Sequence, residues 1–316
     1  MRATVFSLPM TERYRGVTHR EGVLLQGPAG YGEFSPFWDY ADAEAATWLA
    51  AAAEAAGHEF PAPVRDRVPV NATVPAVGPE RAAEIVRASG GCRTAKVKVA
   101  EPGQTLGDDL ARVAAVRAAL GPAGKIRVDA NGAWSVEAAV HAVKRLDEFD
   151  LEYVEQPAAT VEGLAAVRRR ADVPVAADES IRRAADPLEV KRLGAADIVV
   201  LKVQPLGGVR AALQLADQLG LPVVVSSALE SSVGLAAGVA LAAALPELPY
   251  ACGLATAAML GADLVPQPLR PVDGCLRVGR VDPLAACLDA AQPAPEAEAR
   301  WRDRLARCAE RLGLAP

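Results

Sequence analysis

The chain has 316 residues, 51% of them apolar and 4% aromatic, with 26 glycines and 24 prolines. That length suits roughly two domains at about 150 residues each, with a core that needs no disulfide or metal staple. A net charge of −5 lacks the basic excess of a nucleic-acid binder, and apolar stretches such as Val233 to Leu245 fall short of the roughly 18 residues of a membrane span.

Met1-Arg2-Ala3-Thr4-Val5 has no signal-peptide core, and Cys92, Cys252, Cys275, Cys287 and Cys308 form no CxxC pair. An odd cysteine count fits no secreted disulfide framework, so free thiols in a reducing cytoplasm are expected. Residues 1–35 read as short strands punctuated by Gly22, Gly27, Gly30 and Gly32. Ala41 to Ala56 reads as an alanine-rich helix with Asp42 as its cap. Glu59-Phe60-Pro61-Ala62-Pro63 then breaks the pattern and marks a boundary.

From Val68 a rhythm begins. Strand-like runs fall at 68–74, 94–99, 125–129, 150–154, 173–177, 197–203, 222–227 and 249–253. Helical runs separate most of them, at 79–88, 108–120, 136–147, 161–170 and 209–219. Eight strands with interleaved helices predict a (β/α)₈ barrel, with a doubly wound open sheet as the alternative. No GxGxxG follows the first strand, which weighs against a dinucleotide site. Beyond Pro266-Gln267-Pro268, Leu269 to Val278 reads as a strand and Trp301 to Arg311 as a helix.

The chemistry gathers at strand ends. Asp129, Glu155, Asp178 and Lys202 each follow or close a strand-like run, at intervals of 26, 23 and 24 residues. In a barrel this puts all four at the C-terminal mouth, where active sites form. A helix cap is the alternative for any single acid; four matched places weigh against it. Three neighbouring carboxylates repel one another and resist desolvation, and a divalent cation offsets both effects. Oxygen donors favour a hard ion such as Mg²⁺. Zinc suits less, because His19, His58 and His141 lie at no strand end. Alternation through Thr94-Ala95-Lys96-Val97-Lys98-Val99 puts Lys96 and Lys98 on one face, which in a barrel points inward; an edge strand with a wet lysine face is the alternative. Lys98 and Lys202, on strands two and six, would flank a substrate. A desolvated lysine near another cation is a competent base for a proton alpha to a carboxylate.

The patterns Lys96-Val97-Lys98, Asp129-Ala130-Asn131, Glu155-Gln156-Pro157, Asp178-Glu179-Ser180 and Leu201-Lys202-Val203 resemble the enolase superfamily in its muconate-lactonizing subgroup. Val225 to Gly234 is most similar to the o-succinylbenzoate synthases of that subgroup. The resemblance covers nearly the whole chain. It implies an α/β fold, a modified TIM barrel of the (β/α)₇β type with an α+β capping domain. The expected division is 1–65 for the cap, 66–265 for the barrel and 266–316 for a return to the cap.

The resemblance further implies Mg²⁺, with Mn²⁺ as a substitute, held by Asp129, Glu155 and Asp178. It makes Lys98 the proton-abstracting base and Lys202 the opposing cation that stabilises the enediolate. Lys96, Asn131 and Glu179 would support them, although an Asx turn at Asn131 and a helix cap at Glu179 remain alternatives. Ser226, Ser227, Ser231 and Gly253 would line the substrate, against the alternatives of a helix cap for Ser231 and a plain turn for Gly253. Arg15, Gly16, Thr18 and His19 form a candidate lid, with a basic, flexible surface loop as the alternative favoured for any single residue.

The implied activity is syn dehydration of 2-succinyl-6-hydroxy-2,4-cyclohexadiene-1-carboxylate to 2-succinylbenzoate in menaquinone biosynthesis. The alternatives are an N-succinylamino acid racemase or an enzyme doing both. Ala251-Cys252-Gly253-Leu254 lacks the Asp-x-Asp of dipeptide epimerases. A noncatalytic scaffold or binding protein is expected to lose one of the reactive positions, and none is lost here. The expected partner is a small carboxylate, with no nucleic acid and no membrane insertion, in a cytoplasmic enzyme for which a monomer is plausible.

Overall fold

The computed structural model describes residues 1–14 and 16–314, without the side chains of Arg13 and Tyr14. Strands β1 (Arg2–Tyr14), β2 (Val17–Gly27) and β3 (Gly30–Phe34) form an antiparallel sheet covered by helix α1 (Asp42–Gly57). Buried Ala45, Ala52 and Ala56 let α1 approach closely. A Cβ on Gly32 would overlap the Ala52 carbonyl oxygen. Asp42 is not the cap that the sequence suggests. It is the first residue of α1, where its carboxylate meets Arg307 Nε at 2.7 Å, while Glu44 accepts from the Ala41 amide at 3.2 Å.

The barrel opens with β4 (Arg67–Pro69), β5 (Ala72–Val74) and α2 (Pro79–Arg87). It continues through β6 (Thr94–Lys98), α3 (Leu106–Leu120), β7 (Lys125–Asp129), α4 (Val136–Leu146) and β8 (Leu151–Glu155). Then come α5 (Val161–Arg168), β9 (Val175–Ala177) and two short helices, α6 (Glu179–Arg182) and α7 (Glu189–Arg192). The barrel ends with β10 (Ile198–Leu201), α8 (Val209–Leu219), β11 (Val223–Val225) and α9 (Ser232–Ala244). Helix starts follow local chemistry. Thr105, Ser135 and Thr160 accept from the amides of Asp108, Ala138 and Gly163 at the first turns of α3, α4 and α5.

Strands β5 to β11 make one parallel sheet in sequence order. The eighth position is only a pair of bridging residues. Cys252 exchanges bonds with Pro69 and Asn71 on one side, and Gly253 does so with Val225 and Ser227 on the other. These contacts join β11 back to the β4–β5 edge and close the ring. The fold is therefore a modified TIM barrel, and the open-sheet alternative fails at this closure.

Strand alternation sorts the side chains. Val97, Val128, Val154, Val175 and Val199 face the helices in the main core. Tyr153, Ala176, Ile198, Val200 and Val224 form a separate cluster on the other face, inside the ring. Arg127 shares that interior, its guanidinium 4.7 Å from the Tyr153 ring centre and 2.6 Å from Glu152 Oε2. Below the mouth the barrel is thus plugged.

After the ring the chain runs two ways. The strand expected over residues 269–278 is realised only as β12 (Cys275–Arg277), which pairs with β4 and not with the cap sheet. Leu276 lies opposite Val68, and both are buried in the barrel's core cluster. Helices α10 (Ala285–Ala290) and α11 (Pro295–Arg311) follow. In α11, Trp301 meets Phe34 edge-on at 6.0 Å, and Arg304 donates to the Phe37 and Tyr40 carbonyls, fixing the helix on the cap. Among the described residues no helix is long and apolar enough to cross a membrane.

Candidate active site

The barrel register assembles the mouth. Lys98 closes β6 opposite Asp129 at the end of β7, and Asp129 lies opposite Glu155 at the end of β8. Asp178 and Lys202 each stand one residue past their strands, β9 and β10. Asp129, Glu155 and Asp178 have no solvent exposure. Lys96 and Lys202 are buried at 6% and 8% exposure, and Lys98 is partly buried. Of the six residues read from strand-end spacing and alternation, Lys96, Lys98 and Lys202 line one cavity, and Asp129, Glu155 and Asp178 lie fully buried against those lysines.

Each charge is matched. Lys96 Nζ donates to Asp129 Oδ2 at 3.0 Å and to Glu155 Oε1 at 2.7 Å. Lys98 Nζ donates to Asp129 Oδ2 at 2.6 Å and to Asn131 Oδ1 at 2.5 Å. On the far side, Lys202 Nζ donates to Asp178 Oδ2 at 2.7 Å, and Arg182 Nε donates to Asp178 Oδ1 at 2.9 Å. Asn131 also joins Glu179, its Nδ2 lying 3.0 Å from Glu179 Oε1.

The electrostatics follow from burial and these contacts. Burial works against ionised Asp129, but the Lys96 and Lys98 ammonium groups hold it well below the usual carboxylate range. Burial likewise opposes ionised Asp178, and Arg182 with Lys202 outweighs it and lowers its pKa. Glu155 is the exception: burial, then the Asp129 charge, push its carboxyl up to about 7. Burial also lowers the Lys202 pKa, against the pull of Asp178. Glu155 Oε2 is buried with no hydrogen-bond partner. Among the described residues, no three His, Cys, Asp or Glu side chains converge as a metal-holding group. Lys96, Lys98 and the Asn131 amide take the Asp129 oxygens instead, and Lys202 and Arg182 take those of Asp178.

The opposite wall comes from β11 and the bridging pair. Ser226, Ser227 and Gly253 line the cavity, as read from the sequence. Ser227 Oγ is 2.7 Å from Thr256 Oγ1, and a Cβ on Gly253 would sit 2.5 Å from Ser226 Oγ. Ser231 does not join them. It is fully buried at the start of α9, where its Oγ and amide donate to Glu33 Oε2 at 2.5 and 3.1 Å. The α9 amide of Ser232 is taken in turn by Asp263 Oδ1 at 3.1 Å. Ser231 is thus absent from the cavity lining; it is the N-cap of α9, with its side chain bound to a carboxylate of the cap domain and not to the helix amides.

Several lining residues lay beyond the sequence reading. Phe37 reaches the cavity from the cap, and Thr73, Thr256 and Arg182 from the barrel. Arg182 sits one helical turn after Asp178, a spacing that carried a usable signal. Gln156, within a quoted motif, accepts from the amides of Asp178 and Ser180 and orders the β9 exit. Of the candidate lid, Arg15 lies outside the described residues. Thr18 and His19 belong to β2, and with Gly16 they border an outer groove beside Trp38 and Trp301. Strand exits also carry left-handed backbone, at Ala100, Asn131, Gln156 and Leu229. Such φ values at non-glycine residues cost energy and cluster where side chains must be aimed.

Comparison with known proteins identifies the family and the fold. Residues 79–283 match the family described as enolase C-terminal domain-like, and residues 5–56 match the enolase N-terminal domain-like family. The o-succinylbenzoate synthase of Thermobifida fusca is 64% identical over 306 residues, covering 97% of this chain and 95% of that protein. The o-succinylbenzoate synthase of Mycolicibacterium smegmatis is 57% identical over 309 residues, covering 97% and 95%. Among solved structures, the N-succinyl Arg/Lys racemase of Bacillus cereus superposes with a TM-score of 0.78 at 20% identity, covering 92% of this chain and 97% of that one. Muconate lactonizing enzyme of Pseudomonas putida gives a TM-score of 0.74 at 20% identity, covering 92% and 98%. At these identities the two structures speak for the fold alone.

Proposed function

The chain belongs to the enolase superfamily, in its muconate-lactonizing subgroup, and from that premise we propose that it acts as an o-succinylbenzoate synthase. It is a lyase that removes water from 2-succinyl-6-hydroxy-2,4-cyclohexadiene-1-carboxylate and yields 2-succinylbenzoate, a step of menaquinone biosynthesis. One observation carries this reading: Lys98 and Lys202 face one cavity from opposite strands of the ring, each beside buried carboxylates.

The donor set suits a hard divalent cation. Asp129, Glu155 and Asp178 stand at the ends of, or one residue past, three adjacent strands and are fully buried, and Glu155 Oε2 has no hydrogen-bond partner. These three residues would hold Mg²⁺, with Mn²⁺ as a substitute, in exchange for some of their lysine contacts. The bound ion would supply positive charge for the carboxylate oxygens on which the enediolate's negative charge develops.

The chain's own groups do the rest. Lys98 Nζ, as the neutral amine, takes the proton alpha to the substrate carboxylate. The electron pair of that C–H bond forms the enediolate. As the C–O bond to the ring hydroxyl breaks, Lys98 returns the same proton to the leaving oxygen, and water departs. The ring becomes aromatic and Lys98 ends as it began. One base serving both steps requires hydrogen and hydroxyl to leave from the same face. Lys202 stays an ammonium on the other face, opposing the developing charge and meeting the ring by cation–π attraction. Lys96, two residues from Lys98 on the same face, adds positive potential that favours the neutral base. Asn131 holds Lys98 Nζ, and Glu179 orients Asn131. Ser226, Ser227 and Gly253 bound the side where the succinyl chain lies.

The same pair of lysines supports a second reading, racemisation of N-succinylamino acids, in which each amine serves one face of an alpha carbon. The two readings share fold, metal and base. They part on whether Lys202 must give and take a proton. Stripping the protein with a chelator and restoring Mg²⁺ tests the metal-assisted dehydration: turnover should vanish and return. Turnover that survives chelation, or that Mg²⁺ fails to restore, argues against it. Cytoplasmic residence completes the proposal.

A further inference from the structure

Glu33 is a fully enclosed carboxylate on β3 of the cap, 198 residues from its partner Ser231 in the barrel. Its Oε2 accepts from the Ser231 amide and hydroxyl, and its Oε1 accepts from Ser35 Oγ at 2.6 Å. Ser35 is a hub. Its Oγ accepts from Gln204 Nε2 at 3.2 Å and from Arg20 Nη2 at 3.0 Å, and its amide donates to Gln204 Oε1 at 3.1 Å. Gln204 follows Lys202 by two residues.

Arg20, 2% exposed on β2, completes the set. Its Nε donates to the Leu229 carbonyl at 3.0 Å and its Nη2 to the Ala228 carbonyl at 3.2 Å. Its guanidinium lies 4.3 Å from the centre of the Phe37 ring. Ala228, Leu229 and Phe37 all line the cavity. Leu229 has φ +65°, a conformation that a leucine keeps only when its surroundings hold it there. The barrel segment 226–229 therefore takes its shape from cap residues on both flanks: Arg20 at its carbonyls and Glu33 at the start of α9.

We infer that Arg20, Glu33 and Ser35 are positioning residues, through which the cap sets the cavity wall formed by Ser226 to Leu229 and thereby the affinity for substrate. None of the three touches the reacting atoms in the proposed mechanism. The inference rests on that mechanism for the identity of the substrate and on the hydrogen bonds alone for the latch. A plain staple between two domains predicts something else: lower stability with an unaltered KM in the protein that remains folded.

The test compares Glu33→Gln, Arg20→Met and the milder Ser35→Ala with the wild type. Steady-state kinetics use the cyclohexadiene carboxylate with Mg²⁺, and deuterium uptake follows the amides of residues 226–231. A glutamine at position 33 turns one acceptor into a donor that faces hydroxyl and amide donors. A wall that no longer fits costs uniform binding, so KM should rise about tenfold while kcat stays within about threefold. Uptake over 226–231 should become faster in the same variants. An unchanged KM in the folded variants overturns the inference, as does a fall in kcat at constant KM. Should Arg20→Met or Glu33→Gln not fold, Ser35→Ala decides. A wild type without turnover rejects the proposed function instead, and the exchange experiment then decides the latch: unchanged uptake overturns it.

Discussion

Lys98 and Lys202 occupy the second and sixth of eight positions around the barrel, so their ammonium groups enter the cavity from opposite sides. Each is tethered to a carboxylate on a neighbouring strand, Asp129 at 2.6 Å and Asp178 at 2.7 Å. The tethers aim two flexible side chains that would otherwise sample many rotamers. They also give the two amines different surroundings, since Asn131 holds Lys98 and Arg182 shares Asp178 with Lys202.

Lys98→Ala should remove the base for both steps. The expected loss is about 10³-fold or more in kcat, in keeping with general-base contributions of roughly 10²–10⁴. The fold should persist, because Lys96 still bridges Asp129 and Glu155. Single-turnover kinetics with a circular-dichroism control check this. A near wild-type rate removes Lys98 from the role.

Lys202→Met should cost less. Charge stabilisation by one preorganised group is worth about 10²–10³ in rate. Dehydration should therefore slow by about that factor, while Lys98 still exchanges the substrate's alpha proton with solvent. Deuterium incorporation into recovered substrate, followed by NMR, gives the readout. Loss of exchange together with dehydration would assign proton transfer to Lys202 as well.

Much of this site was legible because barrels repeat. The spacing of Asp129, Glu155, Asp178 and Lys202 matches one βα unit per step, and period-two alternation put Lys96 and Lys98 inside. What the sequence hid is contact across large separations. Ser231 reads as a substrate-lining residue or a helix cap; only the folded cap domain brings Glu33 to it. Phe37 lines the mouth, and Arg20 braces its wall at the Ala228 and Leu229 carbonyls, from segments far away in sequence. The eighth strand reads as five residues, yet two bridging residues close the ring. Residues 269–278 read as one long strand, but only Cys275 to Arg277 find a partner in β4.

Glu33 predicts a pH signature. Burial pushes its carboxyl from 4.5 up to about 7, so the folded protein binds this proton more tightly than the unfolded chain. That contribution to stability is fully present below about pH 4.5 and is lost as pH rises through about 7. The wild type should lose up to roughly 3 kcal/mol over that window relative to Glu33→Gln, at about 1.4 kcal/mol per pH unit. Urea unfolding of both proteins across pH 4 to 8 measures the difference; parallel curves would contradict the assignment.

Gly32→Ala should destabilise the cap. Its methyl would overlap the Ala52 carbonyl of α1, a backbone atom that cannot swing aside. Overpacking of this kind costs about 1–3 kcal/mol. Thermal melts should show a clear fall in Tm, and an unchanged Tm would mean that α1 can lift from the sheet at little cost.

Dehydration depends on one ring that gathers two opposed lysines and three acids. Purified protein with Mg²⁺, given the cyclohexadiene carboxylate and an N-succinylamino acid in separate assays, tests it most directly. Rapid formation of 2-succinylbenzoate is expected. Efficient racemisation with no 2-succinylbenzoate formed would contradict it.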